Sequence, residues 1–131
     1  MIALLVDNNF AGYAALLRDA LAAAGWSELV PMRWVTLTEV GLHRTSSDRA
    51  IWRSAQAHGL ILITDNRNMK GRDSLEQTLR EENTPEALPV LTIGSAERLK
   101  ERSYRDLCAT RIVEIVLNLE SHRGVGRIFI P

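Results

Sequence analysis

Leu60-Ile61-Leu62-Ile63-Thr64-Asp65-Asn66-Arg67-Asn68 is the stretch that decides the fold. Five apolar or β-branched residues run straight into an aspartate, then into a polar, partly basic loop. A run this short, without period-two alternation, reads as a strand buried on both faces, the kind found in the middle of parallel sheets. Asp65 then lies at the carboxyl end of a central strand, where open α/β sheets place their ligands.

Upstream, residues 2–6 form a second continuous apolar run, ended by Asp7-Asn8-Asn9. Asn8 or Asn9 can cap the helix that follows. Leu16, Leu17, Ala20, Leu21 and Ala24 make its apolar stripe, and Gly25 is placed to end it. Residues 32–37 are a more mixed strand, nearer a sheet edge. Ser46 or Ser47 can cap a helix to about His58, with Ile51, Ser54, Ala55 and His58 on one face, before the opening strand begins. Downstream, Asp73 and Glu76 have the spacing of a capping box for a helix to about Glu82. Residues 89–93 read as a fourth strand, 96–121 as helix in one or two pieces with Ser103 able to cap the second, and 128–130 as a short terminal strand. Strand and helix alternate throughout. The prediction is one α/β domain over residues 1–131, a three-layer α/β/α sandwich with a mainly parallel central sheet of four to five strands.

The bulk composition bounds the partners. The chain has 131 residues, 46% hydrophobic and 24% charged, as expected for a single globular domain. Sixteen Lys and Arg balance sixteen Asp and Glu, so polyanion binding must come from a local patch. Cys108 has no partner for an internal disulfide and reads as a small core residue in a reducing compartment. Residues 1–7 lack a basic start and a cleavage site, and no apolar run approaches a membrane span, so the expectation is a cytoplasmic protein without membrane contact.

Topology gathers the acids. In a parallel sheet each helix begins at the edge where the preceding strand ends. Asp7 and Asp65 end strands; Asp48 and Asp73 lie at the starts of helices. All four are predicted at one edge. Converging carboxylates without buried lysines suit a hard divalent cation, Mg²⁺ or Mn²⁺. Each also has a structural reading. Asp48 complements a helix dipole, Asp73 is an N-cap, and Asn8, Asn66 and Asn68 are turn residues. Asp7 and Asp65 follow the two most apolar strands, where a turn needs no acid in particular. Arg67, Lys70 and Arg72 lie in the loop after Asp65, and Arg44 in the loop before Asp48. A carboxylate cluster rimmed by such residues suits a phosphodiester, and a solvated surface loop is the alternative. His43 and His58 read as structural, and Trp26, Trp34 and Trp52 as core or interface. A nucleotide-binding response-type domain is disfavoured, since no glycine-rich phosphate loop follows either early strand.

The strand ending in Asp7-Asn8-Asn9, the helix start Ser47-Asp48-Arg49-Ala50-Ile51-Trp52 and the strand ending Ile63-Thr64-Asp65 together resemble the PIN-like nuclease superfamily, in its compact branch of toxin–antitoxin components. The resemblance covers most of the chain. It implies an α/β/α fold, metal-dependent cleavage of single-stranded RNA by activated water, an antitoxin partner and a homodimer. Asp7, Asp48 and Asp65 match its acidic positions, with Asp73 a further candidate. Related domains often carry Thr-x-Asp-x-Asp after this strand; on that register the acids fall at Asn66 and Asn68, which are amides here. The alternative expectation is therefore a catalytically degenerate PIN-like module that works through protein contact or homodimerisation.

Overall fold

A computed structural model describes residues 1–67 and 70–131. Five strands, β1 (Ile2–Val6), β2 (Met32–Thr36), β3 (Ile61–Thr64), β4 (Val90–Ile93) and β5 (Arg127–Ile130), form one sheet in the order β2-β1-β3-β4-β5. Every neighbouring pair is parallel. The helices are α1 (Ala11–Ala23), α2 (Trp26–Leu29), α3 (Asp48–Ala57), α4 (Leu75–Glu82) and α5 (Arg102–Leu117). The opening stretch behaves as its composition demands: β3 is central and all four of its residues are buried. β2, with its mixed composition, is an edge strand.

The pleat divides the core in two. Leu4, Val6, Ile61, Ile63, Leu91, Ile93 and Ile130 pack with Leu17 of α1 and with Cys108, Ile112 and Ile115 of α5. Ala3, Leu5, Leu62 and Val90 pack with Ile51, Trp52 and Ala55 of α3 and Leu75 of α4. Helices therefore cover both faces, and apolar burial on each side supplies the main driving force. Trp52 is a core residue, and Cys108 is a fully buried thiol pushed up to about 11, chiefly by burial.

The local signals differ from the sequence reading in three places. Gly25 (φ 83°) ends α1 as expected, but a short extra helix, α2, follows it at once. Neither Asn8 nor Asn9 caps α1; both sit in a 3-10 turn (Asn8–Phe10) between β1 and α1. Ser103 lies inside α5, which begins at Arg102 with Glu101 at its N-cap, two residues before the start Ser103 would cap. Downstream, Gly124 (φ 84°) passes so close to Pro85 that a Cβ there would meet its carbonyl oxygen at 2.8 Å, which ties the turn before β5 to the loop after α4.

Candidate active site

The strand order reverses between β1 and β3, and the crevice at the carboxyl end of such a switch point is where open α/β sheets bind ligands. Asp7 extends β1 by one residue, its amide donating to the Ile63 carbonyl of β3 at 3.1 Å. Its side chain therefore stands on the same side of the sheet as Thr64. The Thr64 hydroxyl, fully buried, donates to Asp7 Oδ2 at 2.7 Å. Burial pushes the Asp7 carboxyl above its ordinary value, Thr64 and the Asn8 amide pull it back, and the charges of Asp48 and Asp65 raise it further. These three acids, distant in sequence, share one field at one sheet edge.

Asp48 arrives from another element. Ser47 caps α3, its hydroxyl accepting from the Ala50 amide at 3.1 Å, so Asp48 is the first helical residue. Its Oδ2 accepts from the Leu75 amide at 3.1 Å, at the N-terminal end of α4, where a negative charge is favoured. The same oxygen accepts from Asn66 Nδ2 at 2.9 Å. Asn66 also donates its backbone amide to Thr64 Oγ1 at 2.9 Å. One residue thus links both acids: to Asp48 through its side chain, and to Asp7 through Thr64.

Asp73 is placed differently from its expected role. The cap of α4 is Ser74, whose hydroxyl accepts from the Gln77 amide at 3.1 Å, so the capping-box register is one residue later than Asp73 and Glu76 suggested. The Asp73 carboxylate instead takes Arg49 Nε at 2.9 Å. Arg49 also meets Glu81 and Glu82 and donates to the Arg72 carbonyl at 2.6 Å. This guanidinium clamps the start of α3 to the loop before α4 and to the end of α4. Asp73 is held by that clamp, while the neighbouring Asp48 faces the other acids.

The basic candidates spread along the rim. Arg67 is exposed and donates to the Gly94 carbonyl at 3.0 Å. Lys70, Arg72 and Arg44 are exposed, Arg44 in the loop ahead of α3. Asn8 begins the 3-10 turn beside Asp7. Asn68 lies outside the described residues.

Arg127 is a site residue that the sequence reading passed over. It opens β5, and its side chain is 8% exposed. Nη1 donates to the Asn66 carbonyl at 2.8 Å and to Thr92 Oγ1 at 3.1 Å, which fixes the loop carrying Asn66 from below. Nη2 lies 3.9 Å from Glu76 Oε2. Period-two alternation over residues 127–130 contained the signal: Ile128 and Ile130 belong to the α1/α5 face, so Arg127 and Phe129 belong to the face with the acids.

The donor chemistry decides whether a divalent cation suits this edge. Asp48 Oδ1 and the Asp65 carboxylate accept no hydrogen bond among the described residues, and Asp7 is destabilised as an anion. Hard oxygen donors of this kind match Mg²⁺ or Mn²⁺. Among the described residues no group of three or more His, Cys, Asp and Glu side chains is disposed to hold a metal. A closed cage of protein ligands is therefore absent among the described residues, and a cation here would have to keep most of its water. Compared with protein-family models, curated proteins and solved structures, the chain matches none. Among the described residues no helix is long and apolar enough to cross a membrane.

Proposed function

We propose that the protein is a Mg²⁺- or Mn²⁺-dependent ribonuclease of PIN-like type, acting on single-stranded RNA. The observation that carries this reading is the hydrogen-bonded chain from Asp7 through Thr64 and Asn66 to Asp48 at the switch-point edge; burial, and to a lesser degree the charges of Asp48 and Asp65, raise the Asp7 carboxyl. Like charges kept together at a switch-point crevice cost stability, and a divalent cation relieves that cost. Asp7 and Asp48 would hold the cation, with Asp65 at the rim. When bound, such an ion would polarise a phosphoryl oxygen and make a bound water more acidic, and so a better nucleophile. The chain's own residues have simpler tasks. Thr64 orients Asp7, Asn66 orients Asp48, Arg127 holds Asn66 in place, and Arg67, Lys70 and Arg72 meet the phosphates. Incubation with labelled single-stranded RNA and Mn²⁺ tests the reading. Wild type is expected to cleave and Asp7→Asn to lose at least 100-fold in rate, an order of magnitude typical of charge stabilisation in active sites. Equal cleavage by both proteins would end this assignment.

A second reading has its own support. Asn66 puts an amide where a third acid would complete a metal site, and Asp48 already receives two donors. These features favour a non-catalytic PIN-like module that works by protein contact, as a homodimer or with an antitoxin-type partner. Calorimetry separates the two readings. Heat on titrating millimolar Mn²⁺ supports the enzyme; no heat together with no RNA cleavage supports the module.

A further inference from the structure

Phe129 stands at the open side of the sheet, on edge strand β5, with 53% of its surface exposed. Two guanidinium groups lie near its ring: Arg67 is 5.9 Å from the centroid and Arg127 5.6 Å. Both distances fall within the cation–π range. The two cations differ in surroundings. Arg67 is exposed. Arg127 is buried, and its Nε and Nη2 make no hydrogen bond among the described residues. Burial makes its positive charge harder to keep; Glu76 and Asp48 offset part of that cost, and the Arg67 charge adds to it. A buried cation whose donors are only partly used is costly, and a second cation beside it adds to the cost. An anion arriving at this rim would lower both.

The platform adjoins the acidic edge. Arg127 holds the Asn66 carbonyl, and the Asn66 side chain holds Asp48. Arg67 is two residues beyond Asp65 in the same loop. We propose that Phe129 is a base-stacking platform for single-stranded RNA, with the phosphate of the stacked nucleotide on Arg67 and the buried charge of Arg127 beside the ring. This subsite rests on the ribonuclease reading for its substrate class. A nucleotide fits the two halves of the patch: every base has a π face for the phenyl ring, and its phosphate neutralises the flanking guanidinium. A purely apolar protein partner fits less well, because covering Phe129 would also strip water from the Arg67 charge without repaying it.

The test is fluorescence anisotropy with a 5′-labelled uridine decamer, in EDTA, so that binding is read without cleavage. Phe129→Ala is expected to weaken binding by about 5- to 100-fold, the range for loss of one stacked base. Phe129→Trp is expected to bind at least as well as wild type. Arg67→Gln should weaken binding and reduce the slope of log affinity against log salt by about one. Phe129 is largely exposed, so these variants are expected to keep the wild-type circular dichroism spectrum. The subsite is overturned if Phe129→Ala binds within twofold of wild type, if wild type does not bind the decamer, or if a duplex of the same length competes equally well. It is also overturned if Phe129→Ala leaves RNA binding intact but dissolves a dimer seen by ultracentrifugation. The two proposals fail separately. RNA binding that depends on Phe129 without any Mn²⁺-dependent cleavage removes the ribonuclease and keeps the subsite. Cleavage that depends on Asp7 but not on Phe129, with unchanged KM, does the reverse.

Discussion

The two faces of the sheet are built for different purposes. The face covered by α1 and α5 is a continuous apolar layer, in which Leu17, Ile112, Ile115 and the strand residues Leu4, Ile63 and Ile93 are fully buried. The face covered by α3 and α4 has a smaller apolar cluster. Towards the carboxyl edge it gives way to polar groups: Asp7, Thr64, Thr92, Asp48, Asn66 and Arg127, joined by hydrogen bonds. Alternation makes this division possible. One residue of each strand serves the scaffold and the next serves the edge, so the same short strands carry both. The first face holds the fold; the second carries charges that the first must support.

Substitutions on the two faces should separate those roles. The largest effect belongs to the scaffold. Ile112→Ala removes a fully buried side chain of α5 and is expected to cost about 2–5 kcal/mol of stability in chemical denaturation. The loss should be the same with and without Mn²⁺. A loss that depends on the metal would mean that the faces are not separate.

A smaller effect is expected at the other face. Thr64→Val keeps the shape but removes the hydroxyl that donates to Asp7 and accepts from Asn66. Leaving those groups without their partner costs about 1–3 kcal/mol. Because that hydroxyl lowers the Asp7 carboxyl, its loss should move the Asp7 titration further up, as followed by carboxyl carbon NMR. An unmoved Asp7 titration would detach Thr64 from the acidic edge.

How much of this was legible in the sequence differs by residue. β3 and the end of β1 were legible because unbroken apolar runs leave little choice of environment, and Asp7 and Asp65 inherit their positions from those strands. Asp48 was legible through Ser47, since a capping serine fixes where a helix starts. Asp73 was misplaced because Asp and Ser both make good caps and stand next to each other; the hydroxyl of Ser74 won, and Arg49 took the carboxylate. The four-way clamp of Arg49 depends on Glu81 and Glu82, more than thirty residues away, and no local pattern announces it. Asn66 looked like a turn residue because its sequence neighbours are loop residues. Its role arises only when α3 and α4 are docked. Arg127 was missed because an arginine after a glycine turn normally lies in water, and the alternation of a four-residue strand is a weak signal.

The direct test of the acidic edge is the melting of Asp7→Asn against wild type, with EDTA and with millimolar Mn²⁺. Asp7 titrates above its ordinary value of 3.8 in the folded protein. The folded state therefore keeps the proton over an interval where the unfolded chain has released it. Stability contributed by that proton is lost as pH rises through the folded value, and at neutral pH the ionised carboxylate is a net cost. Asparagine removes the charge and keeps an oxygen for Thr64. In EDTA at pH 7 the variant is expected to melt no lower than wild type, and the gap should close as pH falls towards 3.8. With Mn²⁺ at 100 times its dissociation constant, wild type should gain about 2.7 kcal/mol and overtake the variant. A variant that melts below wild type by the same margin in both buffers would contradict the acidic edge as a cation site and leave Asp7 as scaffold.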